Sequence, residues 1–217
     1  MKCLVCGNLS FFVICKSCLD SMPFTPTSRT AQSGLQVYSF YPHSHIEYLL
    51  KTKYELIGSK ILKILAQKCA EYFFAKILGD LQTDNQRSRI QQFKRSVDSD
   101  IFHNFSNKIF AISVDDNLER FYSHTAIITR AFCKASKGVF IPQYSKLIAT
   151  NRVNYAGKNL EYRLNNPRNF IYEGARGDAV LIDDIITTGL SLTQAHECLA
   201  KNGVNVLFAL TLADARY

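Results

Sequence analysis

The chain runs to 217 residues, 47% hydrophobic and 20% charged, with 26 basic against 18 acidic side chains for a net charge of +8. Those values exclude a disordered or solenoid chain and leave room for one main domain, of the usual ~100–200 residues, with a small appendage. Apolar runs such as Phe11-Phe12-Val13-Ile14-Cys15 and Val180-Leu181-Ile182 fall far short of the ~18 residues a bilayer span needs. The start, Met1-Lys2-Cys3-Leu4-Val5-Cys6-Gly7, lacks the long apolar region of a signal peptide, so a cytoplasmic chain without a transmembrane segment is expected.

Four of the seven cysteines form Cys3-x-x-Cys6 and, eight residues on, Cys15-x-x-Cys18. A Cys-x-x-Cys turn points two thiolates into one coordination sphere, and two such turns close a tetrahedron around zinc with no position left for water. A zinc here is structural, holding a knuckle at residues 1–22 that is too small to own a core. Two disulfides or a redox pair are the alternative, which a cytoplasmic chain disfavours. Cys69, Cys133 and Cys198 sit in apolar or helical surroundings and are expected as packing residues.

Pro23 to Gln36, with prolines, a glycine and many hydroxyls, predicts a linker, and Val37–Tyr41 a first strand stopped by Pro42. From Ile46 to Leu78, Leu49, Leu50, Leu56, Ile57, Ile61, Leu65, Phe73 and Ile77 recur at threes and fours, predicting amphipathic helices broken near Gly58. The lysines between them, Lys51, Lys53, Lys60, Lys63, Lys68 and Lys76, suit a wet helix face or phosphate contacts. Gln82–Asp100 reads as a polar insert with no legible role. Lys108–Val114 predicts a buried strand running into the polar loop Asp115–Arg120, and Ser123–Lys137 a helix with Ala126, Ile127, Thr129 and Ala131 inward. Val139–Ile141 predicts a short strand ended by Pro142. Strands alternating with helices imply an α/β fold with a mostly parallel, doubly wound sheet, whose ligands sit beyond the carboxyl ends of the strands.

Charge is unevenly placed. Residues 177–217 carry Asp178, Asp183, Asp184, Glu197 and Asp214 against Lys201 and Arg216, so the remainder totals +11. Arg120 to Leu160 holds seven basic residues and no acid, which favours an anionic partner: a phosphorylated metabolite, nucleic acid or a membrane surface. A solvated face on a basic protein is the plain alternative. Cations interleave with aromatics over Tyr144, Lys146, Arg152, Tyr155, Lys158, Arg163 and Arg168, a pattern that suits single-stranded nucleic acid by stacking bases and tracking phosphates.

The most telling segment is Ala179-Val180-Leu181-Ile182-Asp183-Asp184-Ile185-Ile186-Thr187-Thr188-Gly189-Leu190-Ser191, followed by a helix to Lys201. A buried strand delivers two acids to its rim, where they can accept hydrogen bonds from a vicinal diol or help hold a divalent cation. Thr187 to Ser191 then supplies hydroxyls, backbone N–H groups and a permissive glycine at a helix N-terminus, a site for a phosphate dianion. Diol and phosphate together describe a ribose 5-phosphate.

This segment resembles the phosphoribosyl pyrophosphate (PRPP) loop of the type I phosphoribosyltransferases. Together with the four-cysteine start, the Lys53-Tyr54 pair and the ending Leu210-Thr211-Leu212-Ala213-Asp214-Ala215-Arg216, the chain resembles the ComF family of competence proteins over nearly its full length. The resemblance implies a Rossmann-like phosphoribosyltransferase domain over residues 37–217. Asp183 and Asp184 would meet the ribose hydroxyls or a shared magnesium as the catalytic pair, and Thr187, Thr188, Gly189, Leu190 and Ser191 would cradle the 5-phosphate. It also implies a role in handling single-stranded DNA during natural transformation, beside a competence helicase or other transformation proteins, in the cytoplasm or at the cytoplasmic face of the inner membrane. An active phosphoribosyltransferase with an unknown acceptor, and a zinc-dependent docking module with a vestigial ribose pocket, are the alternatives. Arg163-Leu164-Asn165-Asn166 and Phe170 stand where family members carry Arg-x-x-Asn and a phenylalanine, and the basic aromatic tract would equally serve as the loop covering PRPP. On the pyrophosphate side, Arg120-Phe121-Tyr122-Ser123-His124 keeps only the arginine of the family's Arg-Gly-Phe-Asn-Gln. His124 beside it suits pyrophosphate contact, proton transfer or simple helix capping. Ser113-Val114-Asp115 replaces the family's Pro-Val-Pro, and Thr187 stands where some purine enzymes place a carboxylate base, a role threonine does not fill near neutral pH.

Overall fold

Strand-forming runs and amphipathic helices alternate along the chain in the computed structural model, which describes residues 1–78, 108–114, 122–151, 153, 155 and 157–217. The expected polar insert at 82–100, the loop 115–120 with Arg120, and Arg152 lie outside the described residues. In chain order, α1 (Lys16–Ser21) closes the cysteine knuckle, β1 (Thr27–Thr30) and β2 (Gln36–Pro42) form a hairpin, and α2 (His43–Lys51) leads through a 3₁₀ turn (Thr52–Tyr54) into α3 (Leu56–Tyr72) and a π turn (Phe73–Leu78). Then β3 (Ile109–Ser113), α4 (His124–Ala135) and β4 (Phe140–Gln143) make a crossover. A small lobe of β5 (Leu147–Ala149), α5 (Leu160–Asn165) and β6 (Phe170–Tyr172) follows, and β7 (Gly177–Ile186), α6 (Leu190–Lys201) and β8 (Val204–Asp214) complete the fold.

The main sheet has the order β1-β2-β8-β7-β3-β4, parallel throughout except for the antiparallel β1. This bears out the mixed α/β architecture with a mostly parallel sheet. From β3 the chain crosses through α4 to β4 on one side, and later returns to β7 on the other. The strand order therefore reverses between β3 and β7, the point at which sheets of this kind have a crevice at the carboxyl ends of their strands.

Both sheet faces are covered, so the strands read as nearly continuous apolar runs. Val180 and Ile182 of β7 join Phe40, Ile61, Leu65, Phe132 and Leu210 in a core under α2, α3 and α4, while Ala179 and Leu181 join Leu192, Ala195 and Leu199 under α6. The knuckle contributes Val13, Ile14 and Met22 to the first of these cores. Lys68 of α3 donates to the Leu19 carbonyl at 2.6 Å, with its ammonium 5.3 Å from the Phe24 ring centre.

Four expectations need correction. The linker Pro23–Gln36 contains β1, whose threonines and serine pair with Gln36–Ser39; hydroxyl-rich composition masks its β-branched strand character. The helical break falls at Thr52–Glu55, and Gly58 lies inside α3, where a Cβ would come within 2.0 Å of the Thr52 carbonyl oxygen and 2.6 Å of Tyr122 Oη. Gly58 is there for close approach, not for breaking. The inner stripe of α4 is Thr125, Ile128, Thr129, Ala131 and Phe132, with Ala126 and Ile127 only half-buried. Its register is set by Ser123, whose hydroxyl accepts from the Ala126 amide at 3.1 Å, a cap worth ~1 kcal/mol. Pro142 pairs with Ala111 inside β4, which a proline tolerates because β4 is an edge strand.

Candidate functional site

The two clusters marked by the sequence lie in different parts of the fold. In the knuckle, the Gly7 amide donates to the Cys3 carbonyl at 2.9 Å, and Gly7 takes the positive φ of 74° that this reversal requires. The ligand atoms of Cys3, Cys6, Cys15 and Cys18 all lie within 4.8 Å of one another, and Cys6 Sγ and Cys15 Sγ are 3.9 Å apart. That is close to the ~3.8 Å edge of a zinc–thiolate tetrahedron with bonds near 2.3 Å, and far beyond a disulfide of ~2.05 Å. The Cys15 amide, donating to Cys3 Sγ at 3.3 Å, leads the effects that pull the Cys3 thiol down to about 6. The Cys18 thiol, hydrogen-bonded to Cys15, is pushed up to about 12. Four sulfurs this close cannot all ionise without a cation among them, so the donor set fits a structural zinc, which would cross-link the two turns. The other cysteines pack: Cys69 is buried, Cys133 lies against the first core, and Cys198 donates to the Phe170 carbonyl at 3.2 Å.

At the crevice, β7 outruns its neighbour. Its ladder with β3 ends at Ser113 opposite Ile182, while its pairing with β8 continues to Ile186 opposite Asp214. Asp183 and Asp184 are thus inside the strand, not after it, on a stretch that has no β3 partner among the described residues. Strand alternation sends the two side chains to opposite faces. Asp184, 4% exposed, turns toward the α2–α3 side, where Lys53 Nζ stands 2.5 Å from its Oδ2. Asp183 is half-buried, and its Oδ1 accepts from the Asp184 amide at 2.8 Å.

These surroundings divide the acids electrostatically. Burial, reinforced by the neighbouring Asp184 charge, raises the Asp183 carboxyl well above the usual range, and Lys53 and Arg168 offset this only in part. Burial also opposes ionisation of Asp184, yet the Lys53 ammonium, with help from His124, outweighs it and holds that carboxyl below the usual range. Lys53 in turn keeps its proton against desolvation because Asp184 faces it.

Past the acids, Gly189 caps α6 with φ of 81°, and its carbonyl accepts from Thr193 at 2.9 Å. Amides in the first turn of a helix lack intrahelical acceptors, so the α6 start presents donors at the crevice. Thr188 is exposed and its hydroxyl accepts from the Leu190 amide at 3.4 Å; Ser191 is half-buried; Leu190 is buried and offers the crevice only its backbone. Thr187 is held from both sides. Its carbonyl accepts from Arg29 Nη2 at 2.5 Å, and its hydroxyl from Arg163 Nη1 at 2.6 Å. Arg29 comes from β1 and is anchored by Asp214, 3.5 Å from its Nε, while Asp214 also accepts from Arg216 at 2.9 Å.

Of the pyrophosphate-side residues, His124 opens α4 close enough to Asp184 to lower its proton affinity. The basic aromatic tract is split by the fold. Tyr155 is a correction: it is 7% exposed, with Arg168 4.7 Å and Arg163 5.5 Å from its ring centre, and its hydroxyl donates to the Asn166 carbonyl at 2.6 Å. A ring spent on internal contacts has no face for a base. Tyr144, Lys146 and Lys158 remain exposed, the last 5.1 Å from the ring centre of Tyr162. Lys158 and Tyr162 also line a cavity of about 500 Å³ on the lobe with Gly157, Asn159, Glu161 and Asn165.

Sequence reasoning left Lys53, Arg29 and Asp214 out of the site. Lys53 was marked in the Lys53-Tyr54 pair that carries the family resemblance and among lysines suited to phosphate contacts, without a link to the acids; Arg29 sits in a segment that reads as linker.

Comparison with known proteins returned no matching family model and no matching curated protein. Among solved structures, the chain is similar to orotate phosphoribosyltransferase from Aeropyrum pernix, at 15% identity and a TM-score of 0.35, over 88% of this chain and 75% of that one. A likeness of that size says nothing of the ligand. No helix among the described residues is long and apolar enough to cross a membrane.

Proposed function

We propose that the chain binds a phosphoribosyl ligand of the PRPP kind at Asp183–Ser191 and, like the ComF proteins it resembles, works on single-stranded DNA during natural transformation. One observation carries the ligand: the carboxyl end of β7 runs past the described end of β3 and brings the acid pair, one on each face, and the Gly189-capped start of α6 to the point where the strand order reverses. Ribose hydroxyls would donate to Asp183 and Asp184, and the 5-phosphate would accept from the first-turn amides of α6 and the hydroxyls of Thr188 and Ser191. The exposed Lys146 and Lys158, with the cavity beside Tyr162, support a nucleic-acid surface on the small lobe.

A second reading, transfer of the phosphoribosyl group to an acceptor with release of pyrophosphate, is favoured by His124 standing near Asp184. There it would meet the charge that develops as the bond at the ribose C1 breaks. The resemblance also implies magnesium at the acid pair. Direct coordination through Asp184 Oδ2 or Asp183 Oδ1 does not fit, because the first is taken by Lys53 and the second by an amide.

Calorimetric titration of PRPP into the protein and into Thr188→Asp tests the ligand. Thr188 is exposed and its side-chain oxygen already accepts from the Leu190 amide, so the change puts a negative charge at the start of α6 without displacing a buried side chain. Saturable binding by the wild type, weakened at least about tenfold in the variant, is expected. A wild type that does not bind, or a variant that binds equally well, rejects the cradle.

A further inference from the structure

Lys53 is built into place, and unlike Lys68, which is held by a backbone carbonyl, it ends on a buried carboxylate. Its 3₁₀ turn is closed by the Thr52 hydroxyl donating to the Leu49 carbonyl at 2.6 Å and by the Glu55 amide donating to the Thr52 carbonyl at 2.8 Å. Tyr122 Oη donates to the Glu55 carbonyl at 3.1 Å, and the turn lies so close to α3 that only a glycine fits at position 58. The Lys53 side chain is 19% exposed, its ammonium lies 5.3 Å from the centre of the Tyr54 ring, and it ends on an Asp184 side chain that is 6% exposed. A lysine so fixed carries its charge to one point and leaves little room for a metal between itself and the carboxylate.

A divalent cation held through Asp184 Oδ2 would have to sit at that point. Asp184 Oδ2 already faces an ammonium, Asp183 Oδ1 already accepts an amide, and among the described residues the permanent cations Lys53 and Arg168 lie near enough to the acids to repel an incoming metal. The same cations suit the anionic end of a phosphorylated sugar. Resting on the ligand proposed above, we infer that Lys53 takes the place of a divalent cation at this site, so that the phosphoribosyl ligand is held without a metal bound to the protein. Lys53 is then a specificity-determining residue: its ammonium neutralises Asp184 and stands ready for the pyrophosphate oxygens, the two services a magnesium ion would supply.

The test is calorimetric titration of the sodium salt of PRPP in EDTA and in excess magnesium, with wild type, Lys53→Met and Lys53→Arg. Wild-type affinity is expected to agree within about threefold between the two buffers. Lys53→Met, which keeps the length and loses the charge, is expected to bind at least about tenfold more weakly in EDTA and to recover in magnesium. Lys53→Arg, which keeps the charge, is expected to retain binding in EDTA, which separates loss of charge from loss of fold. Wild-type binding that disappears in EDTA but persists in magnesium overturns this inference alone, as does a Lys53→Met that matches the wild type in EDTA. Absence of binding in both buffers overturns the ligand itself and this inference with it.

Discussion

Arg163 of the small lobe and Thr187 of the β7–α6 loop are joined by a 2.6 Å hydrogen bond from Nη1 to the threonine hydroxyl. The same guanidinium donates to the Lys158 carbonyl at 3.0 Å and the Tyr155 carbonyl at 2.9 Å, so one side chain ties the start of α5 to the β7–α6 loop. A hydrogen bond to a charged group contributes about 1.5–3 kcal/mol. Thr187→Val, which keeps the volume and removes the acceptor, is expected to speed amide exchange across residues 155–166 by about tenfold or more. Hydrogen–deuterium exchange followed by mass spectrometry reads this directly, and unchanged exchange there would show that the lobe is held by other contacts.

The adjacent acids are expected to respond to substitution with opposite signs. Asp183 has a raised folded-state pKa, so its favourable contribution is complete below the unfolded value near ~4 and is lost as pH rises through the folded value. Asp183→Asn keeps an oxygen for the Asp184 amide and is expected to melt about 2–4 °C higher than wild type at pH 7, with the gap closing at pH 4. Asp184 has a depressed folded-state pKa, so its contribution is present above ~4 and is lost as pH falls through the folded value. Asp184→Asn is expected to lower the melting temperature at pH 7, because it strands Lys53. Thermal melts of both variants between pH 4 and 8 decide the matter, and shifts of the same sign at neutral pH would overturn the division of roles.

Metal analysis is expected to find about one zinc per chain, bound by Cys3, Cys6, Cys15 and Cys18. Cys6→Ser is expected to lower the content and to loosen the packing of Val13, Ile14 and Met22 on the first core, since the knuckle has few apolar contacts of its own. Thiol counting under denaturing conditions that returned two disulfides in these residues would reject the metal site.

Single-stranded DNA affinity is expected to fall linearly with salt on logarithmic axes. Replacing Arg152 and Lys158 together by alanine should weaken it and reduce the slope by about two. Tyr155→Phe, which keeps the ring but loses the hydrogen bond to Asn166, is expected to leave DNA affinity unchanged while lowering stability, because that ring is buried. Fluorescence anisotropy with a short labelled oligonucleotide measures both, and a double variant with wild-type affinity and slope would place the DNA surface elsewhere.

Local chemistry explains what was legible beforehand. The four-cysteine spacing and the strand–acid–acid–hydroxyl–glycine string each bring their groups together within a few residues, so the knuckle and the cradle could be read from adjacent positions. The α/β class followed from alternating runs such as 108–114 and 123–137. Segments whose structure depends on distant partners were misread: β1 pairs only because Gln36–Ser39 lies beside it, and the α4 inner stripe shifts because Ser123 sets its register. Gly58 looked like a breaker, yet its role is steric and belongs to the packing of Thr52 and Tyr122.

By itself the sequence determined which atoms could bind a metal, a diol or a phosphate, since those depend on residue type and short spacing. The tertiary structure alone decided their charge state and their partners. Lys53 reaches Asp184 over 131 residues of chain, Arg29 reaches Thr187 over 158, and Tyr155 is withdrawn from the surface by Arg163 and Arg168. Burial and a neighbouring charge set whether a carboxylate is free, paired or protonated, and neither is a property of the local string.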